Sequence, residues 1–413
     1  MTRVTRAQAQ RRRALAALSV VTVLAFAVIL WPRGSSGGLA DPTQTPRSTS
    51  SVAPPDSATP PDALSVWLAW VSGGFPESFR QQIDSADGIT KDVVVEGDTL
   101  WMTESHDGNG QVVDRPPPPY KIPIDSFAVD PNEYAPFLPA DQRDGIVGAL
   151  RDGEAVLGQS SAELRRIGVG GTISFGGATV KVGATAPDDA IGWSELLVSR
   201  DVGRRLGIEH ERYLLAFGTD AMTLSRFTDD VRSMIPADSD LRTVKPGGTR
   251  YVRVASGVNP PVVFKQVFGE FDAYPRSDDP AFLNMDPAWY DAHIQTRTVP
   301  IFSEQVTCNA KLFPALIGAL RDVQAAGLAG EIHTYSGCYA ARTVARSPTA
   351  PPSNHAYGAA IDINAPENPF GSTPTMDPRI VRIFERWGFI WGGRFLIPDG
   401  MHFEYGSPPS NGA

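Results

Sequence analysis

The sequence predicts an α+β protein whose small C-terminal domain follows a membrane-spanning helix, a disordered linker and a mixed α/β accessory domain. Three observations lead to this prediction: an uncharged apolar run, a stretch rich in Pro, Ser and Thr, and two amphipathic helical patterns beyond residue 260. The chain has 413 residues, of which 42% are hydrophobic and 20% charged, so it can bury more than one core.

The first element is the apolar run at 14–31, which approaches the roughly 20 residues that a helix needs to cross a bilayer. Residues 1–13 carry five arginines and no acidic residue. The positive-inside rule therefore makes them a cytoplasmic basic tail and places everything after the run outside the cytoplasm. A cleaved signal sequence is the alternative, because 38–40 is an acceptable cleavage site. The run exceeds the roughly 7–15 apolar residues of a signal sequence, which favours a single-pass anchor in the cell membrane.

The second element, residues 32–62, contains Gly, Ser, Thr and Pro with almost no large apolar side chains. Such a segment cannot form a core, so we expect an extended, disordered linker.

Charge and cysteine content exclude several classes of function. The net charge is −9, and six arginines among the first 33 residues leave the remainder at −15. We therefore expect no nucleic-acid partner for the main body of the protein. The chain has two cysteines, which excludes a disulfide scaffold and a Cys-rich zinc module.

Residues 63–250 have the pattern of a globular α/β domain. Helical spacing extends over 140–157, and two short strands are predicted around Gly176-Gly177. The stretch at 155–199 is weakly similar to the extracytoplasmic domains of ABC-type permeases. The histidines of this domain lack companions at ligand spacing, so it shows no readable site.

Residues 260–410 form the C-terminal domain. An amphipathic helix is predicted over 309–328, and a strand over 331–335. A second helix should begin at Asp377-Pro378, which supply an N-cap and a first-turn proline, and should end near Gly388.

The chemistry of this domain lies in two short segments. His355 and Asp362 stand seven residues apart, and the alternating segment 401–405 presents His402 to one side of a strand. Two imidazoles and a carboxylate form a catalytic zinc set that leaves one coordination position open. Asp399, in a turn three residues before His402, is suited to act as general base. Ordinary surface polar residues could have the same spacing, so the spacing alone leaves both interpretations open.

The full pattern is more specific. SxHxxGxAxD runs from Ser353 to Asp362, and DxxH runs from Asp399 to His402. This combination resembles the VanY-like family of zinc D,D-carboxypeptidases and L-alanyl-D-glutamate endopeptidases, and the likeness extends over roughly the last third of the chain.

The resemblance implies a small zinc-peptidase domain with a central antiparallel sheet and flanking helices. It also implies a set of zinc ligands: His355, Asp362 and His402. By the same resemblance Asp399 is the base and Arg342 holds the substrate. Two departures bear on these roles: many members have Glu at the base position, and here the arginine does not directly follow the Ser-Gly turn. Arg346 is therefore a rival to Arg342.

The function that follows is a membrane-anchored zinc metallopeptidase acting on peptidoglycan stem peptides, at either the D-Ala-D-Ala or the L-Ala-D-Glu bond. Glu404, on the same strand face as His402, is expected to orient a ligand imidazole. The alternative is an inactive zinc-containing module that binds the cell wall or serves as a scaffold.

The two cysteines, Cys308 and Cys338, are expected to form one disulfide, because export makes oxidation available. A thiol nucleophile at Cys338 is the alternative, although the sequence offers it no evident His or Asn partner.

Overall fold

A computed structural model describes residues 66–245 and 259–406, and all of them belong to one compact unit of the chain. The predicted basic tail, apolar run and linker lie outside the described residues. Across 66–245 and 259–406, no helix is both long and apolar enough to span a bilayer.

Residues 66–244 build a mixed sheet of eleven strands, here called the large sheet. Its strands are β1 (Val66–Val71), β2 (Ile89–Met102), β3 (Glu104–His106), β4 (Val112–Asp114), β5 (Ile122–Val129), β6 (Ala155–Gly158), β7 (Thr172–Phe175), β8 (Ala178–Ala186), β9 (Leu196–Ser199), β10 (Glu211–Gly218) and β11 (Leu241–Val244). Their order is β11-β1-β10-β2-β5-β9-β6-β8-β7-β3-β4. The pairs β5–β9 and β6–β8 are parallel, and the other pairs are antiparallel.

Six α-helices belong to the same region: α1 (Phe79–Ile83), α2 (Pro131–Tyr134), α3 (Ala140–Arg151), α4 (Gln159–Arg165), α5 (Arg200–Leu206) and α6 (Leu224–Ser233). The helix predicted over 140–157 is shorter, because Gly153 takes a φ of +73° and turns the chain into β6. The two strands predicted around Gly176-Gly177 are present as β7 and β8.

Residues 259–406 contain a four-stranded antiparallel sheet and two two-stranded sheets. The strands are β12 (Ala273–Pro275), β13 (Leu283–Met285), β14 (Ile294–Arg297), β15 (Val306–Asn309), β16 (Tyr335–Gly337), β17 (Ala360–Ile363), β18 (Phe389–Trp391) and β19 (His402–Tyr405). The four-stranded sheet has the order β16-β17-β19-β18. The helices are α7 (Pro261–Phe268), α8 (Pro287–His293), α9 (Phe313–Ala325) and α10 (Pro378–Arg386).

Both predicted C-terminal helices are present. Helix α10 begins as predicted, since the Asp377 carboxylate accepts the backbone N–H of Arg379 at 2.7 Å. Helix α9 begins only at Phe313, because Asn309 already belongs to β15. The apolar face predicted for α9 is buried at Leu316, Leu320 and Val323.

The strand predicted over 331–335 is wrong, since the chain there forms a 3-10 turn and β16 begins at Tyr335. The cause is the side chain of Asn364, whose Oδ1 accepts the backbone N–H groups of His333 (2.7 Å) and Thr334 (3.2 Å). Its amide nitrogen donates to the carbonyl of Glu331. A side chain thus satisfies the backbone groups that a neighbouring strand would otherwise pair.

The disulfide between Cys308 and Cys338 is present, with the two Cα atoms 5.4 Å apart. It joins the end of β15 to the residue after β16, and both cysteines are buried. The alternative of a free thiol nucleophile is therefore wrong.

Candidate active site

Strand pairing brings two of the predicted ligands, Asp362 and His402, together. In the register of β17 and β19, Asp362 lies directly opposite His402, and side chains of opposed residues leave a sheet on the same face. The His402 Nδ1 and Asp362 Oδ1 atoms are 3.0 Å apart.

A tight turn supplies the third ligand. The Ser353 hydroxyl accepts the N–H of His355 and starts a 3-10 turn, which Gly358 ends with a φ of +63°. A β-carbon on Gly358 would lie 2.5 Å from the backbone nitrogen of Asn309, so both conformation and space require glycine. The turn sets His355 Nε2 at 3.1 Å from His402 Nδ1 and at 3.2 Å from Asp362 Oδ2.

The outer nitrogens of both rings are already hydrogen-bonded. His355 Nδ1 is 2.7 Å from the carbonyl oxygen of Cys338, and His402 Nε2 is 3.1 Å from a carboxylate oxygen of Glu404. A carbonyl or ionised carboxylate oxygen only accepts, so these ring nitrogens carry the hydrogen. In the neutral rings the lone pairs are therefore on His355 Nε2 and His402 Nδ1, which face each other beside Asp362.

With neutral rings, His355 Nε2, His402 Nδ1 and the Asp362 carboxylate each direct a lone pair to the same point, and no hydrogen lies between them. Such an arrangement is suited to bind a cation. Bonds of about 2.0–2.2 Å to a tetrahedral ion place its ligand atoms roughly 3.3–3.6 Å apart. The observed separations of 3.0, 3.1 and 3.2 Å are close to that spacing. The donor set His355, Asp362 and His402 thus fits a metal ion.

The charges of the site point the same way. Burial lowers the pKa of His402, but hydrogen bonds to Asp362 and Glu404 and their charges raise it to about 10. Burial raises the pKa of Asp362, but His355 and His402 hold it far below its usual range. The cluster therefore favours a positive charge at this point.

Asp399 lies beside this cluster without belonging to it. Its backbone N–H donates to the carbonyl of Gly392 at 2.8 Å, and its side chain lines the same cleft of about 320 Å³. Within the described residues, its buried Oδ1 atom has no hydrogen-bond partner. Burial raises the pKa of Asp399. A carboxylate with an unused acceptor and a raised pKa is suited to take a proton from water.

Arg342 and Arg346 both line the cleft. Burial lowers the pKa of Arg342, an effect that the charges of Asp362 and Asp399 oppose. Arg342 is therefore within electrostatic reach of both carboxylates. Arg346 is exposed and has a φ of +53°.

Sequence reasoning missed three residues of this site. Asn354 donates its side-chain N–H to the Glu404 oxygen that also bonds His402, and Glu404 is fully buried. Its position between Ser353 and His355 was the available signal. Phe370 and Phe395 add apolar walls to the cleft. No local sequence pattern around either residue indicates that it lines the cleft.

Comparison with known proteins gives one family match. Residues 346–405 match the family model described as D-alanyl-D-alanine carboxypeptidase. The match contains His355, Asp362, Asp399 and His402, begins at Arg346, and leaves Arg342 outside. No curated protein matches the chain.

The solved structures that are similar to the chain include three with low sequence identity. The periplasmic region of MacB from Actinobacillus actinomycetemcomitans is 9% identical, with a TM-score of 0.30, over 44% of this chain and 89% of that chain. A domain of a putative permease protein from Porphyromonas gingivalis is 13% identical, with a TM-score of 0.29, over 44% and 89%. The extracellular domain of the noncanonic ABC-type transporter YknZ from Gram-positive bacteria is 11% identical, with a TM-score of 0.29, over 41% and 92%.

The family match confirms the resemblance that the sequence pattern indicated, over the segment that carries the candidate ligands. Residues 346–405 of this chain therefore match a peptidase family of the D-alanyl-D-alanine carboxypeptidase, VanY-like type.

Proposed function

We propose that the C-terminal region is a zinc peptidase that hydrolyses a peptide bond in peptidoglycan stems. One observation carries the proposal: the lone pairs of two imidazoles and a carboxylate meet at one point inside a domain of a carboxypeptidase family. Zinc would be held by His355 Nε2, His402 Nδ1 and Asp362. A zinc ion bound there supplies Lewis-acid chemistry, which polarises water and the scissile carbonyl.

The roles of the protein groups follow from their positions. Asp399 accepts a proton from the attacking water at its unpartnered Oδ1 and later delivers it to the leaving amine. Arg342 stabilises the developing oxyanion or binds a substrate carboxylate, with Arg346 as the rival for this role. Glu404 keeps the His402 ring in the orientation that points Nδ1 into the cleft.

Two bonds of the stem peptide suit this chemistry, the terminal D-Ala-D-Ala bond and the internal L-Ala-D-Glu bond. The test is to measure metal content and then incubate the purified protein with peptidoglycan, followed by mass analysis of the released muropeptides. We expect one zinc per chain and a defined cleavage product, and loss of both in His402→Ala. Stoichiometric zinc without any cleaved stem would instead identify an inactive wall-binding module.

We further propose that residues 14–31 anchor the protein in the cell membrane, with residues 63–250 and 260–410 as extracytoplasmic domains. The support is the run of arginines before an apolar segment. A reporter fused after Ala413 should be active only outside the cytoplasm. Cytoplasmic reporter activity would refute this orientation.

A further inference from the structure

Two loops form the walls of the candidate cleft, and both also contact the large sheet. The arginine loop, residues 342–353, begins at Arg342 and leads directly into His355. The aspartate loop, residues 392–399, ends at Asp399. Residues of both loops line the cleft.

The arginine loop is closed at its base and held at its tip. At the base, the N–H of Ser353 donates to the carbonyl of Arg342 at 2.9 Å. At the tip, the carbonyl of Thr349 accepts the backbone N–H of Thr99 in β2 at 2.8 Å. The same carbonyl accepts a guanidinium N–H of Arg212, in β10, at 3.4 Å. The tip therefore bonds two neighbouring strands of the large sheet.

A hydrogen bond within the large sheet holds the side chain of Arg212. Its Nε–H donates to the carbonyl of Gly97, so the guanidinium joins β2, β10 and the arginine loop. A β-carbon on Gly97 would lie 2.6 Å from the Phe127 ring and 3.0 Å from the Arg212 side chain. The absence of a side chain at Gly97 leaves the space in which Arg212 reaches Thr349.

The aspartate loop is attached through an apolar contact. Leu396 packs against the buried cluster of the large sheet that includes Phe127, Tyr213 and Leu215. Within the loop, the N–H groups of Phe395 and Asp399 both donate to the carbonyl of Gly392. These bonds close the loop on itself, so Leu396 and Asp399 belong to one hydrogen-bonded turn.

A group of buried ion pairs, here called the charge latch, also joins residues 66–245 to residues 259–406. Its closest ion pairs join Arg165 and Glu195, from residues 66–245, to Lys265 and Glu270, from residues 259–406. Lys265 Nζ lies 2.7 and 2.9 Å from the two Glu195 oxygens, and Arg165 bonds both Glu195 and Glu270. Arg165, Glu195 and Lys265 are almost fully buried. The latch fixes helix α7 on the large sheet.

We propose that the large sheet positions both walls of the catalytic cleft, so that residues 66–245 complete the active site. This inference rests on the proposed peptidase function. Arg212 is a positioning residue that acts through the arginine loop on Arg342, and Leu396 seats the loop that carries Asp399.

The test compares Arg212→Met, which keeps the stem of the side chain but removes its donors, with Arg212→Lys, which restores a donor. With Arg212→Met we expect a 5- to 20-fold lower kcat/KM for stem peptide at an unchanged zinc content; the loss appears in KM where Arg342 binds a substrate carboxylate and in kcat where it stabilises the oxyanion. Arg212→Lys should recover part of the loss. Leu396→Ala should instead lower kcat, because the base shifts.

The second readout is amide hydrogen exchange, which does not depend on catalysis. Arg212→Met should speed exchange in 343–352, and Leu396→Ala in 392–399. The matched controls are Arg232→Met, whose arginine also donates to a backbone carbonyl within residues 66–245, and Leu206→Ala, another partly buried leucine there. Neither control should change these segments.

The inference would be overturned if amide exchange in the two loops stayed at the wild-type rate in Arg212→Met and Leu396→Ala. A folded, zinc-loaded wild-type protein that cleaves no stem peptide would overturn the proposed function instead. In that case the exchange rates still decide whether the large sheet holds the loops.

Discussion

Two buried charge clusters of this molecule differ in the groups that face their carboxylates. The charge latch pairs two cations, Arg165 and Lys265, with the carboxylates of Glu195 and Glu270. A third carboxylate, that of Asp114, lies 3.8 Å from Arg165. The candidate metal cluster combines two carboxylates, Asp362 and Glu404, with two imidazoles whose inner nitrogens present lone pairs. The first cluster is complete with protein groups alone. In the second cluster the inner nitrogens of both imidazoles face Asp362 with no cation among these four side chains, which is the property expected of a site for a cation.

The test with the largest expected effect distinguishes a metal ligand, His402, from the proposed general base, Asp399. Asp399→Asn should lower kcat by roughly 10²- to 10⁴-fold, because the proton acceptor is lost. Its zinc content should stay near that of the wild type, whereas His402→Ala should lose the metal. Metal analysis beside a turnover assay makes the comparison. Equal zinc loss in both variants would remove Asp399 from the role of base.

Breaking the charge latch should lower the stability of the fold and leave metal binding unchanged. Lys265→Met removes one partner of Glu195 and is expected to lower the free energy of unfolding by about 3–5 kcal/mol. Denaturant unfolding measures the change. The control is Lys181→Met, whose pair with Glu154 is largely exposed and should contribute less than about 1 kcal/mol. Similar losses in the two variants would contradict a special role for the latch.

The disulfide beside the metal cluster should stabilise the fold by a comparable but smaller amount. The bridge closes a sequence separation of 30 residues, for which the chain-entropy model gives about 3–4 kcal/mol before any native-state strain is subtracted. The double variant Cys308→Ser/Cys338→Ser should therefore melt at a lower temperature. Thiol titration of the denatured, unreduced protein should find no free thiol, and two titratable thiols would refute the bridge.

The smallest expected effect concerns the hydrogen bond between His402 Nε2 and Glu404. Glu404→Gln keeps the side-chain shape but removes the charge that His402 Nε2 faces, so zinc affinity should fall by roughly 10- to 100-fold. Competition with a chelator measures the affinity. The control is Glu385→Gln, an acidic residue of α10 that pairs with the exposed Arg394. Unchanged affinity in Glu404→Gln would mean that the ring is held by its other contacts.

The candidate ligands were predictable because each lies in a short continuous pattern. A turn at Gly358 and the alternation of two paired strands, β17 and β19, are enough to orient His355, Asp362 and His402. Asn364 shows where local reasoning fails, because its side chain replaces a strand partner that periodicity alone would predict.

The tertiary contacts of the cleft were beyond local reasoning. Arg212 reaches Thr349 across a sequence separation of 137 residues, and nothing in the local pattern of either residue indicates the other. The same holds for Leu396 and the cluster of the large sheet. Contacts of this kind depend on how two regions pack, which hydrophobic periodicity does not encode.

Cys338 takes part in two restraints at once. Its sulfur is covalently tied to Cys308, and its carbonyl oxygen accepts the hydrogen of His355 Nδ1. The acceptor that selects the ring tautomer is therefore anchored by a bond that forms only under oxidising conditions. A reduced chain has the same candidate ligands but lacks one covalent restraint on their orientation. We therefore expect the reduced chain to bind a metal ion more weakly than the chain with the disulfide.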